Sequence, residues 1–106
     1  MNRPEFYVGS YNRSVDDKGR VALPAQFGLK ENDIVYFKEI CGEIRCFDER
    51  NFAKHSSSLN ANDFIEYHYA SVQQEHRVNF NGCLKSGLEV VVEGKGIYFS
   101  VSEKNK

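Results

Sequence analysis

The segment Asn12-Arg13-Ser14-Val15-Asp16-Asp17-Lys18-Gly19-Arg20 concentrates the side chains in this chain best suited to hold an anion. Arg20 carries a guanidinium that can fork two hydrogen bonds to a phosphate, or to O6 and N7 of guanine. Lys18 suits phosphate as a point charge. Asn12 could read adenine or simply cap the turn, and Arg13 adds a second guanidinium. Asp16 could hold Arg20 in a fixed rotamer, and Gly19 can take φ > 0 where the turn needs it. The chemistry is recognition of a polyanion rather than bond making. By residue type alone the same segment is an ordinary solvated hairpin with a surface Asp–Arg pair of little energetic weight.

The other reactive side chains form no catalytic constellation, and no enzyme activity, metal or cofactor is expected. Cys41, Cys46 and Cys83 with His76 match no zinc spacing, so buried structural thiols are the expectation. His55, His68 and His76 have no Ser or Cys nucleophile in context. Asp16 and Asp17 are adjacent, point to opposite sides of an extended chain, and make a poor acid–base pair. Gly94-Lys95-Gly96 has no helix after it and reads as a hairpin turn rather than a phosphate loop.

Composition bounds these readings. The chain has 106 residues, enough for one modest core. Hydrophobic residues make up 41%, which argues against disorder. The formal net charge is -1, so any nucleic-acid contact must come from a local basic cluster. No apolar run approaches the ~20 residues that cross a bilayer, and no apolar segment follows Met1-Asn2-Arg3-Pro4-Glu5. A cytoplasmic chain without membrane contact is expected.

The elements that must position the tip are mostly strands. Phe6 to Val15 reads as extended chain, Asp16 to Arg20 as a turn, and Val21-Ala22-Leu23 as a short strand stopped by Pro24. Together they predict a hairpin-like unit. Asp33 to Phe37 and Glu43 to Phe47 are strands around a Cys41-Gly42 turn, and Asp48 can cap a short helix near Glu49. Lys54 to Asn62 reads as a polar linker. A helix over Asp63 to Ala70 would align Ala61, Phe64, Ile65, His68 and Val72 on one face. A strand through Ile65, Tyr67 and Tyr69 alternates equally well. The aromatics Phe64, Tyr67 and Tyr69 suit the core, or alternatively a subunit interface. Leu88 to Val92 and Ile97 to Val101 form a closing strand pair. The expected organisation is a single domain over 1–103, with a first β unit at 1–50, a linker and short helical region at 51–70, a second β unit at 71–103, and a frayed tail at 104–106.

The two halves repeat. Ser14-Val15 matches Ser71-Val72, and Arg20-Val21 matches Arg77-Val78 at one common offset; Leu23 then falls on Phe80. With a short gap, Ile34-Val35-Tyr36-Phe37 falls on Glu89-Val90-Val91-Val92. Each half is too small for a core of its own, so the halves must share one. The expected fold is mostly β with short helices, two β units interleaved with pseudo-twofold symmetry into a small barrel-like sheet.

The run Tyr7-Val8-Gly9-Ser10-Tyr11-Asn12-Arg13-Ser14-Val15-Asp16-Asp17-Lys18-Gly19-Arg20-Val21-Ala22-Leu23-Pro24-Ala25-Gln26-Phe27 resembles the N-terminal signature of the MraZ family of transcriptional regulators. Its order is an aromatic, a Gly, then D-x-K-G-R, an aliphatic stretch and P-A-x-F. Leu88 to Val101 resembles the family's closing strand pair. The resemblance implies a duplicated swapped-hairpin β-barrel of the AbrB/MazE/MraZ type, assembly into a homo-oligomeric ring, and binding to repeated short motifs in promoter DNA. It implies regulation, with repression the first expectation, of a division and cell-wall gene cluster from the nucleoid. Lys18 and Arg20 become the implied DNA contacts, with Asp16 orienting Arg20. The chain departs from the family in its second loop, Gln73-Gln74-Glu75-His76-Arg77, which lacks the Asp and the Gly, so Arg77 is a degenerate counterpart of Arg20. Its central region is also shorter than the family's helical pair. The alternative is an oligomeric interaction module that kept the fold and lost DNA binding.

Overall fold

A computed structural model describes residues 6–57 and 66–104. The strands are β1 (Ser10–Ser14), β2 (Arg20–Ala22), β3 (Ile34–Ile40), β4 (Glu43–Asp48), β5 (His68–Ser71), β6 (Arg77–Asn79), β7 (Glu89–Gly94) and β8 (Phe99–Glu103), with one α-helix, α1 (Glu49–Ser56), after β4. The chain is thus mostly β, and every pairing is antiparallel. Six strands form one sheet in the order β1-β7-β8-β4-β3-β5, and β2 pairs with β6 as a separate two-stranded ribbon.

The hairpin expected from β1 and β2 does not form: β1 pairs with β7, and β2 with β6. Each half exposes an apolar strand face that it cannot cover alone, so its strands pair across to the other half. The pattern is palindromic. Exchanging each strand for its counterpart in the other half turns the sheet order into its own reverse. Val21 and Val78, matched by the repeat, lie opposite each other in the ribbon, and Ile34 and Glu89 each open a strand. The sheet is open, with β1 and β5 as its edges, so it does not close on itself by hydrogen bonding as the expected barrel would.

The core lies between the sheet and the ribbon. Alternate residues of the central strands face it: Val35 and Phe37, Ile44 and Cys46, Phe99 and Val101. Val21, Val78 and Phe80 close it from the ribbon side, and the Phe37 and Phe80 rings meet edge to face at 5.1 Å. On the opposite face α1 packs on β3 and β4, stacking Phe52 on Tyr36 at 4.3 Å and His55 on Phe47 at 4.6 Å. Asp48 starts this helix, its Oδ1 accepting the Asn51 backbone N–H at 2.7 Å. Its buried carboxyl also accepts the hydroxyl of Tyr7, which ties the N-terminal segment to the helix.

Two expectations in the middle of the chain need correction. Lys54 to Ser56 belong to α1 rather than to a linker, and residues 58–62 lie outside the described residues. The expected helix over Asp63 to Ala70 gives way to β5 at His68–Ser71, while Ala61, Phe64 and Ile65 lie outside the described residues. The free edge of β3 decides for the strand, pairing Tyr36 with Tyr69 and Phe37 with His68. His68 and Tyr69 are therefore exposed instead of packed on a helix face, with Tyr69 68% exposed, and Tyr67 is half-buried. Among the described residues, no helix is long and apolar enough to cross a membrane.

Candidate nucleic-acid interface

The Asp16–Arg20 turn is built around one carboxylate. Asp16 Oδ1 accepts the backbone N–H groups of Lys18 at 3.0 Å and Arg20 at 2.7 Å. Its Oδ2 accepts Arg20 Nε at 2.8 Å. These donors hold the Asp16 carboxyl below its ordinary range, first through the Arg20 backbone N–H and then through the Arg20 side chain. Gly19, at φ +78°, closes the loop and donates its N–H to the Asp16 carbonyl at 3.0 Å. Adding Cβ there would strain the backbone without a clash, since the nearest atom, the Leu84 carbonyl oxygen, is 3.8 Å away.

The turn delivers its strand to the ribbon. In β2 and β6, Val21 and Val78 point to the core, so Arg20, Ala22, Arg77 and Asn79 share the outer face. In register Arg20 lies opposite Asn79, and Ala22 opposite Arg77. Arg20 Nη1 reaches across to Gln73 Oε1 at 2.9 Å, and its side chain is 17% exposed. Arg13, on β1, donates Nε to the Ala22 carbonyl and Nη1 to the Asn12 carbonyl, both at 2.9 Å. Lys18 and Asn12 are exposed, and Asn79 Nδ2 donates to the Lys18 carbonyl at 3.2 Å. Arg77 pairs with Glu75 at 2.9 Å. Arg13, Lys18, Arg20 and Arg77 thus collect at one ribbon with Asp16, Asp17 and Glu75, and the local charge is nearly balanced.

The second loop keeps the first loop's backbone plan without its Asp and Gly. Gln73 N donates to the Arg77 carbonyl at 2.8 Å, as Asp16 N does to the Arg20 carbonyl at 2.9 Å. His76 stands where Gly19 does and takes φ +60°, a conformation unfavourable for a residue with Cβ. Its ring Nδ1 lies 3.0 Å from the Leu29 carbonyl oxygen, a contact that helps hold the ring in place. Gln73 and Asn79 escaped the sequence reading. The only signal for Gln73 was its place in the repeat opposite Asp16, and nothing local marks it as the partner of an arginine 53 residues away.

The remaining candidates stay dispersed. Cys46 is buried in the core, where desolvation pushes its thiol well up, and Cys83 is half-buried with its thiol raised by the same cause. Cys41 is exposed at the tip of the β3–β4 turn, contrary to the expectation of a buried thiol. Among the described residues, no three His, Cys, Asp or Glu side chains converge as a metal ion requires. Lys95 lies in the β7–β8 turn, its N–H donating to the Tyr98 carbonyl at 2.8 Å. No model of a known protein family matches the chain, and no curated protein matches it.

Proposed function

We propose that the chain is a sequence-specific, double-stranded DNA-binding regulator of the MraZ type, acting through the outer face of the β2–β6 ribbon and its two flanking loops. One observation carries the reading: an antiparallel two-stranded ribbon presents Arg20, Asn79 and Arg77 outward, with Arg13 and Lys18 beside it. A two-stranded ribbon is one of the shapes that enters the major groove, and Arg and Asn are side chains that read base edges there. The palindromic strand pairing supports a duplicated swapped-hairpin origin. One nearly neutral ribbon binds weakly. A homo-oligomeric ring that sets several ribbons against several promoter repeats gains avidity without new contacts. The same reading gives the chain no catalytic role, and puts its work, with repression of a division and cell-wall cluster the first expectation, at the nucleoid in the cytoplasm.

A mobility-shift titration on the DNA upstream of the chain's own coding sequence tests this. A specific complex whose log affinity falls steeply with log salt, by about 0.9 per phosphate neutralised, is the expected result. Absence of any complex at low salt would overturn it. The engagement of Arg20 by Asp16 and Gln73 favours a second reading, an oligomeric interaction module without DNA affinity, which that negative result would select.

A further inference from the structure

The repeat places Arg20 and Arg77 at equivalent points of two loops with the same backbone plan, yet their side chains are held in opposite ways. Arg20 is anchored on its own loop by the Asp16 carboxylate at 2.8 Å, and its Nη1 is spent on Gln73 at 2.9 Å. Two acceptors on two loops fix it, and its side chain is 17% exposed against 36% for Arg77. Gln73, which stands where Asp16 does, has its Oε1 turned to Arg20 instead of to its own loop. The carboxylate that Arg77 does have in its own loop comes from Glu75, two residues before it, and not from the position of Asp16. Its Nη2 bonds Glu75 at 2.9 Å, and the two side chains are 36% and 72% exposed. A pair this open to water is held weakly and is readily exchanged for another anion. Across the ribbon, Arg77 faces Ala22, whose side chain ends at Cβ.

Resting on the DNA-binding reading above, we infer that the two arginines divide the work: Arg20 is a positioning residue that clasps the loops together, and Arg77 is the guanidinium that contacts DNA, with Glu75 as its removable brake. Glu75 stands at the repeat position of Lys18, so one loop attracts phosphate where the other repels it. On approach of the duplex, a phosphate or a guanine edge replaces the Glu75 carboxylate as the acceptor for Nη2. The exchange is one anionic or polar acceptor for another and leaves the Arg20 clasp intact.

Fluorescence anisotropy with the same upstream duplex, across a salt series, separates the roles in Glu75→Gln, Arg77→Gln and Arg20→Lys variants of the full chain. Glu75→Gln should bind about 3–10-fold more tightly, with the salt slope steeper by about one contact. Arg77→Gln should bind at least tenfold more weakly. Arg20→Lys keeps the charge and loses the fork, so its weaker binding should come with shifted backbone amide resonances at residues 73–77 in the free protein. Binding by the unaltered chain that is unchanged within twofold in Arg77→Gln, or unchanged in Glu75→Gln, would overturn the division while leaving the regulator reading in place. If Arg77→Gln fails to fold, Glu75→Gln alone decides. Failure of the unaltered chain to bind any duplex would remove the regulator reading, and the inference with it. Equal competition by single-stranded RNA would overturn the choice of duplex DNA as the ligand.

Discussion

Replacing Asp48 with alanine should destabilise the fold by about 2–4 kcal/mol. Two losses make up this figure. The helix loses its N-cap acceptor, now 2.7 Å from the Asn51 N–H, and such losses run at about 1 kcal/mol. The hydroxyl of Tyr7, on a residue only 1% exposed, also loses this acceptor, and removing one partner of a buried hydrogen bond costs about 1–3 kcal/mol. In a domain of this size that corresponds to a melting temperature lower by roughly 10–20 °C. Urea unfolding followed by far-ultraviolet circular dichroism, with thermal melts beside it, measures both. The diagnostic comparison is Asp48→Ala combined with Tyr7→Phe. Removing the hydroxyl removes the other half of this pair, so the double variant should recover about 1–3 kcal/mol relative to the sum of the single losses. Strict additivity, or an Asp48→Ala loss below about 0.5 kcal/mol, would refute the tie between the N-terminal segment and α1.

Three further outcomes follow from the geometry. Gly19→Ala should lose about 1 kcal/mol in urea unfolding, because φ +78° disfavours a side chain even where space is open. The Asp16 carboxyl titrates below its ordinary value of 3.8, so its support of the loop is fully present above that pH and is lost as pH falls through the lower folded value. The amide resonances of Lys18 and Arg20 should move together in that window, and the movement should vanish in Asp16→Asn. Iodoacetamide should label Cys41 in the native protein and spare Cys46, whose burial both blocks access and holds the thiol protonated; native labelling of Cys46 at the rate of Cys41 would contradict its place in the core.

The features readable in advance are those set by neighbours in the chain. Asp16 and Gly19 specify their turn through bonds within a few residues, Asp48 caps the helix that follows it, and Cys41-Gly42 turns β3 into β4 at positive φ. The repeat announced that the halves interleave but not which strands pair, because nothing in Ser10–Ser14 names Glu89–Gly94 as its neighbour. The stretch ending in β5 fits both a helical and an alternating period, and the vacant edge of β3 chooses between them from far away in sequence. In the candidate site, the identity of the tip was visible but its posture was not. The acceptor that Arg20 reaches across to, Gln73, sits on the other half of the chain.

The mirrored strand order has one more consequence. In a dimer of identical halves, any change in one loop is forced on both, and the resulting surface looks the same after half a turn. With both halves on one polypeptide, Asp16-Asp17-Lys18-Gly19-Arg20 and Gln73-Gln74-Glu75-His76-Arg77 differ while the scaffold beneath them matches strand for strand. The ribbon has acquired a head and a tail. One end carries a lysine, Lys18, and the other a glutamate, Glu75, so the two ends of the ribbon present opposite charge.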